Sequence, residues 1–150
     1  MTLARLRLVL AALLFVGWLS WLGYAVSWRA SVPIVSRGQL AGATHLVVVD
    51  VSADTQGLPA PMATVTQVLH GTGIAKGATI EVLNLPSAQP PIGGFAGSGQ
   101  YLLPLVGEGK LFRVAGLPRS PGYDASMPTR PVIYPWSDDV RAQLKQLGWE

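Results

Sequence analysis

Imidazoles and carboxylates are the side chains from which a metal site or a proton-transfer pair would be built. The chain holds two histidines, His45 and His70, with Asp50 and Asp54 as possible third ligands. Metal sites take three or four ligands, and two histidines about 25 residues apart make no recognised spacing. They read as polar residues at strand ends: His45 opens a strand on the same side as its valines, and His70 sits at a strand-to-turn junction beside Gly71. The carboxylate pair Asp138-Asp139 could act as acid and base or hold a cation, but ahead of a helical pattern it reads as favourable charge at a helix N-terminus. Asp124, beside Tyr123, lies in a loop without a visible partner. Gly93-Gly94 and Gly97 with Gly99 lack the strand-to-helix context and the lysine of a phosphate-binding loop. There is no cysteine, hence no disulfide, thiolate metal site, cysteine nucleophile or lipid-bearing cysteine. The residues therefore predict no catalytic set, no cofactor and no metal.

Strands are the elements that would position these groups. His45–Ala53 alternates, with Val47, Val49 and Val51 on one face and Leu46, Val48, Asp50 and Ser52 on the other, a strand buried fully on one side and partly on the other. Residues 62–69, 78–85, 100–106 and 110–115 are further runs rich in β-branched or aromatic types, and 132–134 suggests a short sixth strand. Gly107-Glu108-Gly109 closes the fourth and fifth strands into a hairpin. Pro104 cannot donate to a ladder, so its strand should lie at an edge or bend there, as at the corner of a small barrel. A terminal helix over 138–147 follows from Ser137 as N-cap, Gly148 as stop and the stripe Val140, Leu144, Leu147, which would dock on the sheet. The predicted class is mainly β: one N-terminal transmembrane helix, then a small OB-like barrel of five or six strands with a C-terminal helix. A binding face, if present, belongs at the Pro/Gly/Ser-rich loop 86–99 around Ile92 and Phe95 and at an open edge near Pro104. The alternative is that Phe95 merely tucks against the barrel.

The whole-chain charge of +3 and pI near 9.6 would ordinarily raise nucleic acid as a partner. The excess belongs to Arg5, Arg7 and Arg29, which flank one apolar segment, whereas residues 31–150 carry 8 basic and 8 acidic side chains. No nucleic-acid partner is expected. Residues 8–28 contain 17 apolar side chains among 21, interrupted only by Gly17, Ser20, Gly23 and Ser27, enough for a helix of roughly 30 Å, the thickness of a bilayer's hydrocarbon core. A cleavable signal peptide is the rival reading, with Arg5 and Arg7 as its charged region and Gly23-Tyr24-Ala25 as cleavage site; the length of the run and bulky Trp18 and Trp21 argue for an anchor. Either way residues 31–150 are exported. The expected organisation is a cytoplasmic tail at 1–7, the transmembrane helix at 8–28, a juxtamembrane linker at 29–44 in which Ser36 caps one helical turn, and the barrel domain at 45–150. The expected location is the cell membrane, single-pass, with the C-terminal domain extracytoplasmic, and the arginine-rich, lysine-poor composition suits a bacterium. The expected partners are the lipid bilayer, through the helix, and an unidentified protein.

Three stretches, Ala63 to Gly71, Gly77-Ala78-Thr79-Ile80-Glu81-Val82 and Gly99-Gln100-Tyr101-Leu102-Leu103-Pro104-Leu105, resemble the bacterial relatives of the netrin-like, tissue-inhibitor-of-metalloproteinase-like domain. The resemblance implies an OB-type barrel. Inhibitory members of that family reach a protease metal with an amino-terminal cysteine, which this chain lacks, so no residue inherits that role. The run from Ile133-Tyr134-Pro135 to Leu144 resembles the tails of uncharacterised bacterial anchored proteins. Ser126-Met127-Pro128-Thr129 is similar to the serine box of membrane-anchored signal peptidases, and Phe112 to Pro118 to their lysine box, which would imply a Ser126 nucleophile activated by Lys110 or Lys145. The boxes stand in the opposite order here and Arg113 cannot serve as a base. An anchored module acting by binding or assembly is therefore the primary expectation, and a serine/lysine hydrolase the alternative.

Overall fold

Alternation along the strands separates two cores. The computed structural model describes residues 3–30, 33–109, 111–118 and 130–149, and the chain divides into two compact units, Met1–Val32 and Pro33–Glu150. In the second unit β1 (His45–Ala53), β2 (Pro59–His70), β3 (Thr79–Val82), β4 (Gly99–Glu108) and β5 (Leu111–Val114) close in the order β1-β2-β3-β5-β4 and back onto β1. All neighbours are antiparallel except β3 and β5, which run parallel. This is a closed five-stranded OB-like barrel. A sixth strand, β6 (Tyr134–Pro135), adds to β4.

Odd-numbered residues of β1 face the barrel interior. Val47, Val49 and Val51 meet Val65, Ile80, Val82, Tyr101, Leu103, Leu105, Phe112 and Val114, with Leu85, Ala88 and Ile133 filling the ends. Leu46 and Val48 point outward and, with Leu102, floor a second core roofed by Val35, Leu40, Tyr134, Val140 and Leu144. The roof is made of α2 (Arg37–Ala41), β6 and α3 (Asp138–Gln146). Ser137 caps α3 as its sequence predicts, its hydroxyl accepting from the Val140 amide at 3.3 Å.

Pro104 marks a corner. Its strand is enclosed, not at an edge: β4 pairs with β1 up to Leu105 and with β5 from Leu105 onward, and the Pro104 carbonyl accepts the Ala115 amide at 2.8 Å. The change of partner is what lets a strand with a missing donor sit inside a closed barrel. Gly107, paired with Phe112 in the β4–β5 hairpin, has a φ of +137°, and a Cβ there would lie 2.6 Å from the Leu111 carbonyl oxygen, so only glycine fits.

The barrel unit reaches back ahead of β1. Ser36 caps α2, Gln39 is fully buried, and its amide nitrogen donates to the carbonyls of Ala115 at 2.8 Å and Val132 at 2.9 Å. Its carbonyl accepts from the Tyr134 hydroxyl at 2.6 Å, and that hydroxyl accepts the Ser36 amide at 3.0 Å. Gln143 of α3 holds the same segment from the other side, accepting from the Val35 amide at 3.0 Å and donating to the Pro33 carbonyl at 2.9 Å.

The first unit is the helix α1 (Leu3–Ala30). Its stretch Arg5–Ser27 has a mean hydropathy of 2.0 and is long and apolar enough to cross a membrane. With no apolar stripe distinguished from a polar one, its surface suits an apolar solvent on every side.

Candidate binding surface

The residues singled out for chemistry are dispersed. His45 lies at the end of the barrel, its ring edge on Phe112 at 5.4 Å, with Nε2 donating to the Thr72 carbonyl at 2.8 Å and Nδ1 at 2.9 Å from Thr44 Oγ1. Gly71 leaves the room for that ring: a Cβ there would fall 2.5 Å from it. His70 stands opposite Leu46 and packs its ring on Trp149 at 5.0 Å, on the outer side of the sheet. The two imidazoles are thus turned to opposite faces. Asp54 accepts the amides of Gln56 and Leu58, each at 2.8 Å, and so builds the β1–β2 turn. Asp138 and Asp139 are exposed in the first turn of α3, and Asp138 pairs with Arg141 at 3.5 Å. No group of three metal-ligating side chains converges among the described residues. Ser126, Lys110, Asp124 and Tyr123 lie outside the described residues, and Lys145 is exposed on α3.

The loop 86–99 is pinned in several places. Phe95 tilts onto Tyr101 at 5.4 Å and packs against the barrel core, while the Tyr101 hydroxyl donates to the Gly97 carbonyl at 3.0 Å. Burial raises the Tyr101 phenol above its ordinary pKa, partly offset by a backbone hydrogen bond from Ala96. Ser98 accepts the Ala53 amide at 2.9 Å, and Gln89 bridges to Val132. Phe95 is therefore an anchor of the loop, and Ile92 is the large apolar side chain it leaves exposed.

A surface that the sequence did not single out lies beside the start of α3. A groove of about 540 Å³ runs between β2 and the β6–α3 connection, floored by Val48, Thr66 and Gln100 and walled by Gln67, Lys76, Trp136 and Arg141. A bulge in β2 shapes it: the register shifts between Val48 and Val49, turning both Thr66 and Gln67 toward this side. Trp136 is placed by its own amide, which donates to the Gln100 carbonyl at 2.9 Å, and the partly buried side chain packs against the second core. The Arg141 guanidinium lies 5.1 Å over that ring, an arrangement that holds a planar donor group in one orientation. Among the described residues Lys76 has no acid within ion-pair distance, and the Gln67 and Gln100 amides have no side-chain hydrogen bond. Asp50 is exposed between Thr64 and Gln100 in the register, which sets one carboxylate next to the groove's Gln100. Trp136 and Arg141 are five residues apart across a helix cap, a spacing whose meaning depends on the β2 bulge.

Compared with protein-family models, with curated proteins and with solved structures, the chain matches none.

Proposed function

We propose that the chain is a single-pass membrane protein whose OB-like barrel works on the extracytoplasmic side as a binding module. α1 is its anchor, with the cationic Arg5 and Arg7 at the end that stays inside. The observation that carries the binding reading is the groove beside Trp136, where Arg141, Lys76, Gln67 and Gln100 converge. One of these donors, the Arg141 guanidinium, is oriented by the Trp136 ring beneath it, and the volume falls within the range of roughly 300–1,000 Å³ common for ligand sites. Side chains fill the barrel interior, so a ligand belongs on the outside, as in other OB-like barrels.

Location and binding are tested separately. Protease added to intact cells should degrade residues 33–150 while a cytoplasmic marker survives; protection of the barrel until the membrane is opened would overturn the orientation. For binding, the full chain is to be purified from solubilised membranes as wild type and as Lys76→Glu/Arg141→Glu. The reading expects a component retained by wild type and lost from the variant, with equal unfolding midpoints for the two. Identical sets of retained components would count against the groove.

A further inference from the structure

A second surface lies where the barrel unit begins. Gln143 holds the chain on either side of Ile34, donating to the Pro33 carbonyl at 2.9 Å and accepting from the Val35 amide at 3.0 Å. Val35 turns into the second core, and Ile34 is left 75% exposed. Ile34 lines a hollow of about 350 Å³ together with Pro90, Pro91, Leu117, Arg130 and Pro131. The bridge between Gln89 and Val132 brings these separate stretches together. Leu117 is 36% exposed, and Ile92, which follows Pro91, is 46% exposed. Single exposed apolar side chains are ordinary, but several gathered around one hollow from distant parts of the chain mark a contact surface. Among the described residues that line it, Arg130 is the one charged side chain, its guanidinium donating to Gln89 Oε1 at 3.2 Å. Asp138 and Asp139, at the start of α3, do not line it.

The length of the connection restricts what this surface can face. The inference rests on the reading of α1 as a retained anchor, whose apolar stretch ends at Ser27 and whose helix ends at Ala30. Three helical residues and four fully extended ones then hold Ile34 no more than about 19 Å from the edge of the hydrocarbon core. The headgroup layer occupies roughly the first 5–8 Å of that distance. So short a leash keeps the lipid at high local concentration, and contacts too weak to bind a free domain suffice. The chemistry agrees, since a membrane interface accepts apolar side chains at the acyl boundary and draws arginine to its phosphates. We infer that the face formed by Ile34, Ile92, Leu117 and Arg130 rests on the bilayer surface, so that the barrel is docked on lipid as well as tethered to it.

The full chain has no cysteine, so a single introduced thiol reports its own surroundings. Ile92→Cys is the reporter, distant in sequence from the tether. Met62→Cys is the control: it is exposed on β2, which with β3 makes up the two barrel strands that do not pair with β4. Each variant is to be labelled with an environment-sensitive maleimide and reconstituted into vesicles of phosphatidylcholine and phosphatidylglycerol brominated near the headgroup end of their acyl chains. Bromine should quench Ile92→Cys at least about threefold more than Met62→Cys. In the Ile92→Cys background, Ile34→Glu/Leu117→Glu should bring quenching down to the control level, and Arg130→Glu, which removes no apolar contact, should lower it about twofold. Equal quenching at the two positions would overturn the docking. Quenching that survives both sets of substitutions would overturn it too, because the tether alone would then account for proximity. A second copy covering the face would shield the Ile92→Cys label from aqueous iodide without bromine quenching, and that result also counts against lipid. Failure of the anchor is read separately: a chain released by alkaline carbonate refutes the retained helix, whereas a chain that stays with the vesicles and shows equal quenching refutes the docking alone. None of these residues lines the groove, so the result is independent of the Lys76→Glu/Arg141→Glu variant.

Discussion

Gln39 is the one buried polar side chain in the core among the described residues, and every polar atom it buries is paired. Its amide spans two carbonyls from separate parts of the chain and its oxygen takes the Tyr134 hydroxyl. Such a group stabilises while intact and costs heavily when half of it is removed. Tyr134→Phe leaves the Ser36 amide and the Gln39 oxygen without their partner, so denaturant unfolding should show a loss of about 1–3 kcal/mol. Combined with Gln39→Leu, the two losses should sum to less than their separate values, since both cut the same network. Burial also pushes the Tyr134 phenol above its ordinary 10.0, with the Ser36 backbone hydrogen bond acting the other way. Below that value the folded and unfolded chains both carry the neutral phenol; above it the unfolded chain gives up its proton first and is favoured. Stability should therefore hold up to about pH 10 and fall beyond it, and the fall should be shallower in Tyr134→Phe when urea midpoints are compared across alkaline pH.

Elements were readable where one periodicity governed them. His45–Ala53 is the strand its valine alternation predicts, and the terminal helix ends within a residue of the expected 147. The segment ahead of β1 was not readable in the same way. ASVPIVSRGQ has the look of a linker, and only Ser36 signals a helical turn; that Val35, Gln39 and Leu40 are buried depends on α3 and β6 arriving from about a hundred residues away. A chain beginning at Pro33 should fold cooperatively, whereas one beginning at His45 should not. The shorter form loses two buried aliphatic side chains, worth about 1.5–3 kcal/mol each, and strands the partners of Gln39, against a total stability of about 5–15 kcal/mol. Near-ultraviolet circular dichroism and a urea titration of the two forms would decide it, and a cooperative transition in the shorter one would contradict the account. Pro104 illustrates the converse: its missing donor was plain from the sequence, but a bend and an edge satisfy the same constraint, and the closure of β4 between β1 and β5 selects the bend.

Across the molecule as a whole, charge is partitioned. Residues 31–150 balance 8 basic against 8 acidic side chains, and the excess, Arg5, Arg7 and Arg29, flanks the apolar stretch 8–28. On the proposed anchoring, that excess acts in insertion. Arg5→Glu/Arg7→Glu should reduce the fraction of chain whose barrel is open to external protease, because the remaining bias then favours the Arg29 side. The same variant should leave the unfolding midpoint of residues 33–150 unchanged, as those arginines belong to the other compact unit.

Spacing and composition determined the apolar helix, the strand count, the closing helix and the lack of a recognised catalytic pattern, since each rests on local periodicity or on residue types that are present or missing. They did not determine the surfaces. The groove depends on a bulge that turns Thr66 and Gln67 to one side and on a tryptophan held by the Gln100 carbonyl. The apolar face depends on Gln143 holding Pro33 and Val35, which leaves Ile34 outside, and on Gln89 meeting Val132 from a distant part of the chain. Barrel closure sets those neighbours, and closure is a property of the whole set of strands that no single stretch of sequence carries.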